Sequence, residues 1–226
     1  AAIREAVASG RNGLGTIFVW AGGNGYTRDD SNKDGYANLI ETIAIGAIND
    51  WGERSMYSEP GANLVAAAPS NDPDLGRQGI TTTDLVGNYG YNKTGSAGEY
   101  TDRNYTKTFG GTSSACPLAA GVIALILQAN SMLGWRDVQE ILIRSATKNN
   151  PWDADWTNNA VGFHFNHQYG AGLINASNAV AKALTWTNLA EQTYITIQRT
   201  NLNVTIPDNT AGGVTQRFDL SSTGIR

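Results

Sequence analysis

The chain has one cysteine, Cys116, and two histidines, His164 and His167, among its 226 residues. A lone cysteine excludes an internal disulfide, and within an apolar run Cys116 reads as a small buried hydrophobe. Basic runs are absent and the formal net charge is -4, which argues against nucleic acid or an anionic membrane as partner. No stretch reaches the length of a membrane span, and the longest apolar run, after Ser113, is too short. A signal peptide is missing as well, and Ala1 falls inside a pattern already running. What is there is 41% apolar residues and 26 glycines, the composition of a loop-rich globular chain able to bury a substantial core.

Ala2, Ile3, Ala6 and Val7 stand at helical spacing, closed by Ser9-Gly10 and preceded by no N-cap, so the expectation is a helix that has lost its start. Continuous apolar, β-rich runs over 16–21, 42–48 and 64–68 are those of strands buried on both faces of a parallel sheet. Helical patterns follow over 135–146 and 175–184. Together they predict an α/β, doubly wound, mostly parallel sheet. Chemistry in such sheets lies beyond the carboxyl ends of the strands, which directs attention to the loops after Ala21 and Ile48.

Gly110-Gly111-Thr112-Ser113-Ser114-Ala115-Cys116-Pro117 places a hydroxyl between a glycine turn and an almost wholly apolar helix. With Pro117 in the first turn and Leu118, Val122, Ile123, Leu125, Ile126 and Leu127 apolar on every face, that helix is expected to be buried. Free N–H groups and the positive end of the helix dipole favour a negative oxygen there. Ser113 is therefore either an acyl-transfer nucleophile or an ordinary N-cap. Asn24, in Gly22-Gly23-Asn24-Gly25 after the first strand, is either an accessible amide donor or a turn residue. Asp29, Asp30, Asp34 and Glu59 form an acidic loop cluster, read as hard oxygen ligands or as solvated charge. The segment 86–108 is polar and glycine-rich, an insertion that either shapes access or does nothing.

Gly-Thr-Ser ahead of Pro117-Leu118-Ala119-Ala120-Gly121 resembles the nucleophile segment of the subtilisin-like serine proteases, in their kexin and furin branch. The stretch from Gly13 to Gly25 resembles that branch's oxyanion segment. By this resemblance Ser113 is the nucleophile, and Asn24 donates to the oxyanion beside the Ser113 N–H. Asp30-Ser31-Asn32-Lys33-Asp34 is similar to the loop whose first aspartate binds calcium and whose second lines the primary specificity pocket. It is one residue shorter and lacks the cysteines found there. Tyr57-Ser58-Glu59 is similar to the segment giving the same calcium a glutamate, so Asp30 and Glu59 are the implied ligands and Asp34 the substrate-binding residue. Ile80-Thr81-Thr82-Thr83-Asp84-Leu85 resembles the strand leading toward the nucleophile.

His164 and His167 are not the catalytic histidine of that pattern, in which the base and its orienting aspartate lie upstream. The resemblance implies that both would precede Ala1. Residues 1–187 are thus expected to be the carboxyl-terminal part of a subtilisin-like domain, inactive when isolated. Strand-like alternation from Tyr194, with Ile206-Pro207-Asp208-Asn209 and Gly213, resembles the opening of a β-sandwich P domain, here 190–226. The implied partners are a polypeptide substrate, the upstream half of the same domain, and a propeptide or chaperone. The implied location is secreted or periplasmic. A noncatalytic peptide-binding scaffold is the alternative, and a carbohydrate-binding β module would fit only the residues past 190.

Overall fold

The computed structural model of the chain describes residues 1–193 together with 196–198, 200, 203–205, 214, 215, 217 and 218. It divides into two units, Ala1–Leu189 and Ala190–Arg226. Among the described residues of the second unit no strand or helix is present, and Tyr194, Ile195, Leu202, Ile206-Pro207-Asp208-Asn209 and Gly213 lie outside them.

In the first unit, three apolar runs pair as a parallel sheet in the order β1 (Phe18–Ala21), β2 (Thr42–Ile48) and β3 (Leu64–Pro69). Every residue of β2 is buried, because both faces are covered. Ile43, Ile45 and Ala47 point into the main core, where α2 (Thr112–Ala129), α3 (Trp135–Ser145) and α4 (Ala176–Leu184) deliver Ala119, Val122, Ile126, Val138, Ile141, Leu142, Ala179 and Ala183. Ala44 and Ile48 face the opposite side, against Leu64 and Ala37 in one cluster and Tyr169 in another. This period-2 division of one strand between two cores is the pleat expressed as packing. α1 (Ala2–Ser9) ends at Gly10 as the sequence predicts. Asn175, the N-cap of α4, accepts the Asn178 N–H.

Three expectations need correction. α2 begins at Thr112, so Pro117 stands in its second turn, where its missing N–H leaves the Ser113 carbonyl without an i+4 donor. Nor is α2 buried on every face. Pro117, Ala120, Gly121, Ala124 and Leu125 are exposed, since the sheet and α4 cover one side and no described residue covers the other. With 18 residues α2 does have the length and composition of a span, contrary to the sequence reading. Its buried residues nonetheless belong to the main core.

The segment before α2 also differs. The 80–83 run is β4 (Ile80–Thr83), but it pairs antiparallel with β5 (Tyr105–Phe109), and β5 feeds the Gly110-Gly111 turn before Ser113 directly. Tyr105-Thr106-Lys107-Thr108-Phe109 has the β-branched and aromatic alternation of a strand, a signal obscured by the polar loop ahead of it. A further hairpin, β6 (Thr157–Asn158) with β7 (His164–Phe165), completes the strands.

Candidate active site

Gly111 is the N-cap of α2, with φ 77° and ψ 169°, a conformation open essentially only to glycine. Having no side chain, it cannot cap the helix, and partners for this turn arrive from three loops instead. The Thr112 N–H and hydroxyl both donate to Asn24 Oδ1 at 2.9 Å. The Gly23 N–H reaches Thr112 Oγ1 at 3.2 Å, so buried Thr112 ties the loop after β1 to the helix start. The Gly111 N–H donates to the Tyr57 hydroxyl at 3.1 Å, and the Gly111 carbonyl accepts from Ser70 Oγ at 2.8 Å and Ser114 Oγ at 3.1 Å. Ser70 and Ser114 are in turn 2.7 Å apart, and Tyr57 Oη lies 2.6 Å from Ser70 Oγ and 2.8 Å from the Asn71 carbonyl oxygen. Both backbone polar groups of Gly111 are thereby fixed by side chains.

This arrangement determines how the Asn24 amide points. A backbone N–H can only donate, so the atom facing Thr112 is the oxygen and Nδ2 must face the other way. A Cβ added to Gly111 would lie 3.3 Å from Asn24 Nδ2 and 3.5 Å from Ser113 N. Two donors therefore border one open space beside Gly111. Ser113 itself is exposed and lines a cleft with Asn24, Tyr57, Asn71, Tyr91 and Thr108.

The acidic cluster is looser. Glu59 is 8% exposed, and its Oε1 accepts the Gly25 N–H at 2.7 Å. Gly23, at φ 106°, requires glycine, and a side chain on either Gly23 or Gly25 would displace the Glu59 carboxylate. Burial pushes the Glu59 carboxyl above its ordinary value, the Gly25 N–H opposes this, and the negative charges of Asp29, Asp34 and Asp30 add to it. Asp30 turns toward Asn32, whose N–H and side-chain amide hold its carboxyl below the usual range. Asp29 lies closer to Glu59: a Cβ on Gly25 would be 2.8 Å from Asp29 Cβ and 2.9 Å from Glu59 Oε1. Asp34 is exposed, and its Oδ1 accepts the Tyr36 and Ala37 N–H groups at 2.7 and 2.8 Å. Among the described residues no group of three or more His, Cys, Asp and Glu converges as a metal site. What the cluster does hold is a buried carboxylate, Glu59, repelled by Asp29, Asp34 and Asp30, a repulsion that a positive charge would relieve.

Neither histidine lines the Ser113 cleft. His164 Nε2 is 2.8 Å from the Ala171 carbonyl oxygen, and His167 Nδ1 is 3.0 Å from Asp155 Oδ2.

A family profile described as "Subtilase family" matches residues 1–172. The chain belongs to the subtilase family. Relatives of this subtilase include a PC3-like endoprotease of Hydra vulgaris, 42% identical over 194 residues, which are 84% of this chain and 25% of that protein. Furin of Bos taurus is 40% identical over 192 residues, 84% of this chain and 22% of that protein. The kexin and furin resemblance is thus matched by its relatives, although the chain spans only about a quarter of their length. A serine protease of Aeromonas sobria shares the fold with a TM-score of 0.76 and 25% identity, over 84% of this chain and 40% of that one.

Sequence reasoning about the subtilase did not single out Thr112, Tyr57, Ser70, Asn71 or Tyr91. Thr112 stood inside the quoted motif, and its position beside Ser113 was the available signal. Tyr57, Ser70 and Asn71 come from loops after β2 and β3 and carry no spacing pattern that joins them to residue 111.

Proposed function

We propose that the chain carries the nucleophile and oxyanion donors of a calcium-dependent, kexin-like serine endopeptidase that cleaves after basic residues. One observation carries this reading: Asn24 Nδ2 and Ser113 N border the same space beside Gly111, in a cleft that Ser113 also lines. Ser113 Oγ attacks the scissile carbonyl, and the oxygen that becomes negative enters that space. Both donors are fixed before the reaction, Asn24 by Thr112 and Ser113 by its place in the first helical turn. Neither has to reorganise as charge develops.

The Ser113 proton requires a base. With both histidines engaged away from the cleft, we assign the base and its orienting carboxylate to a part of the polypeptide outside residues 1–226. Such a division is in keeping with the small share of the relatives' length that the chain matches. Isolated, the chain is then inactive. Glu59, with Asp30 and Asp29 beside it, would hold the calcium ion, which supplies charge neutralisation to the loop carrying Asn24 and Asp34. Asp34 would meet the guanidinium of the residue before the scissile bond. Residues 190–226 are assigned to the start of a P domain, and the enzyme to a secreted or periplasmic location. The Aeromonas sobria protease is also known in complex with a chaperone, ORF2, which supports an assisting chaperone or propeptide here.

The test is labelling of the full-length protein with a serine-directed fluorophosphonate. Modification of Ser113 and no other serine is expected. Labelling undiminished in Ser113→Ala would overturn the assignment of Ser113, and a wild type that takes no label would leave the noncatalytic scaffold as the reading.

A further inference from the structure

The β4–β5 hairpin brings into the Ser113 cleft a side chain that acyl transfer does not use. Tyr91 lines the cleft together with Asn71, Pro73 and Thr108, and it comes from the segment read from sequence as an insertion. Its ring packs edge-on against Phe109, with centroids 5.7 Å apart and planes at 70°. Phe109 is two residues from Gly111, so Tyr91 is joined to the nucleophile turn through one aromatic contact.

The hairpin that presents Tyr91 is closely tied. Asn92, its neighbour, is 2% exposed and directs its side-chain amide at three carbonyl oxygens, those of Tyr100, Asp102 and Tyr105. The Asn92 N–H donates to Asp84 at 2.8 Å. The Glu99 carboxylate accepts from the Thr106 and Thr108 hydroxyls and from the Lys107 N–H. A buried amide satisfied in this way fixes the backbone at 91–92, because any other placement would strand it without partners. Even so, Tyr91 is 61% exposed and lines the cleft.

We infer that Tyr91, backed by Phe109 and flanked by Pro73, is the wall of a subsite for an uncharged apolar or aromatic side chain of a bound polypeptide. The inference rests on the reading of the Ser113 cleft as a peptide site. The lining residues are all neutral, so a charged side chain there finds no counterion, whereas an apolar one gains area against a preordered ring at little cost in entropy. This subsite is separate from Asp34, which does not line the cleft.

Binding tests this without turnover. In the full-length Ser113→Ala protein, fluorescent peptides that differ at one position at a time are titrated by anisotropy. One position should favour leucine or phenylalanine over glycine, arginine and aspartate, and Tyr91→Ala should weaken those apolar peptides about tenfold while leaving the glycine peptide unchanged. Tyr91→Phe, which keeps the ring, should bind as the parent does. A position that prefers arginine or aspartate and depends on Tyr91 would overturn the proposal. Equal weakening of every peptide by Tyr91→Ala would also overturn it, since the ring would then only hold the fold. Ser113-dependent hydrolysis of an activated ester by the protein with Ser113 intact is scored separately. Its absence would remove the acyl-transfer reading while the binding result stands.

Discussion

Thr112 gives both of its donors to a single atom, Asn24 Oδ1, at 2.9 Å each. The residue before Ser113 thus sets how the Asn24 amide points, across 88 positions of sequence. Asn24→Ala removes the donor itself, and in the full-length enzyme kcat should fall about 10² to 10³-fold with little change in KM; the size is that of a subtilisin case, carried over by family. Thr112→Val keeps the shape but loses one of the two tethers, and a smaller fall in kcat is expected. An unchanged kcat in Asn24→Ala would make that amide a turn residue only.

Gly111→Ala should be as damaging as Asn24→Ala for a different reason. The new methyl would stand 3.3 Å from Asn24 Nδ2, in the space proposed for the oxyanion, on a backbone with φ 77°. Roughly 1–3 kcal/mol of backbone strain adds to the lost activity. A variant that retains both wild-type melting temperature and kcat would contradict this geometry.

Tyr57→Phe deletes one hydroxyl and leaves the Gly111 N–H with only Asn71 Oδ1, at 3.4 Å. The cost is about 1–3 kcal/mol, the desolvation penalty of a backbone donor left poorly paired. Denaturant unfolding of residues 1–226 should register it without any need for activity. Wild-type stability in the variant would mean that the Asn71 contact suffices.

In the proposed calcium site, calcium and pH would act on one carboxyl, that of Glu59. Because the Glu59 value is raised in the folded chain, the folded state binds that proton more tightly than the unfolded state does. This stabilisation is full below the ordinary glutamate range and is lost as pH rises through the raised value. In chelator, wild type should therefore gain stability relative to Glu59→Gln as pH falls from 7 toward 4. At pH 7, calcium should raise the melting temperature of the full-length wild type and leave Glu59→Gln unmoved. Asp29→Asn and Asp30→Asn, compared side by side, report which aspartate shares the ion. Chelator without effect on wild-type melting would leave the cluster as solvated charge.

Asp34→Asn separates charge from turn geometry, since an amide oxygen still accepts the Tyr36 and Ala37 N–H groups that Asp34 Oδ1 now holds. Cleavage of arginine over leucine substrates, varied only before the scissile bond, should lose about five- to tenfold of its preference, the scale of an ion pair partly open to water. Preference unaltered in the variant would relieve Asp34 of any role in specificity.

Much of this was legible in residues 1–226 before any coordinates. The strands announced themselves as unbroken apolar runs, and Thr42–Ile48 was recovered to the residue and is buried throughout, whereas the 16–21 run forms a strand only from Phe18 and is half-buried. Ser113 and Asn24 stood out in the sequence because glycines precede each at the edge of an apolar element, and Glu59 because it joins an acidic loop cluster; the roles proposed for all three come from the family resemblance. Tertiary structure alone decided the rest. The exposed side of α2 has the same apolar composition as its buried side, so only the position of the sheet and α4 tells them apart. Which way the Asn24 amide faces follows from a Thr112 donor 88 residues distant, and no local pattern encodes a contact of that span. Tyr91, in an insertion whose residues alone left open whether it shapes access or does nothing, lines the cleft because Asn92 and β5 fold its loop back onto Phe109. Local propensity and periodicity set which segments form and which are buried; the hydrogen bonds and ring contacts that join distant loops set what the Ser113 cleft can hold.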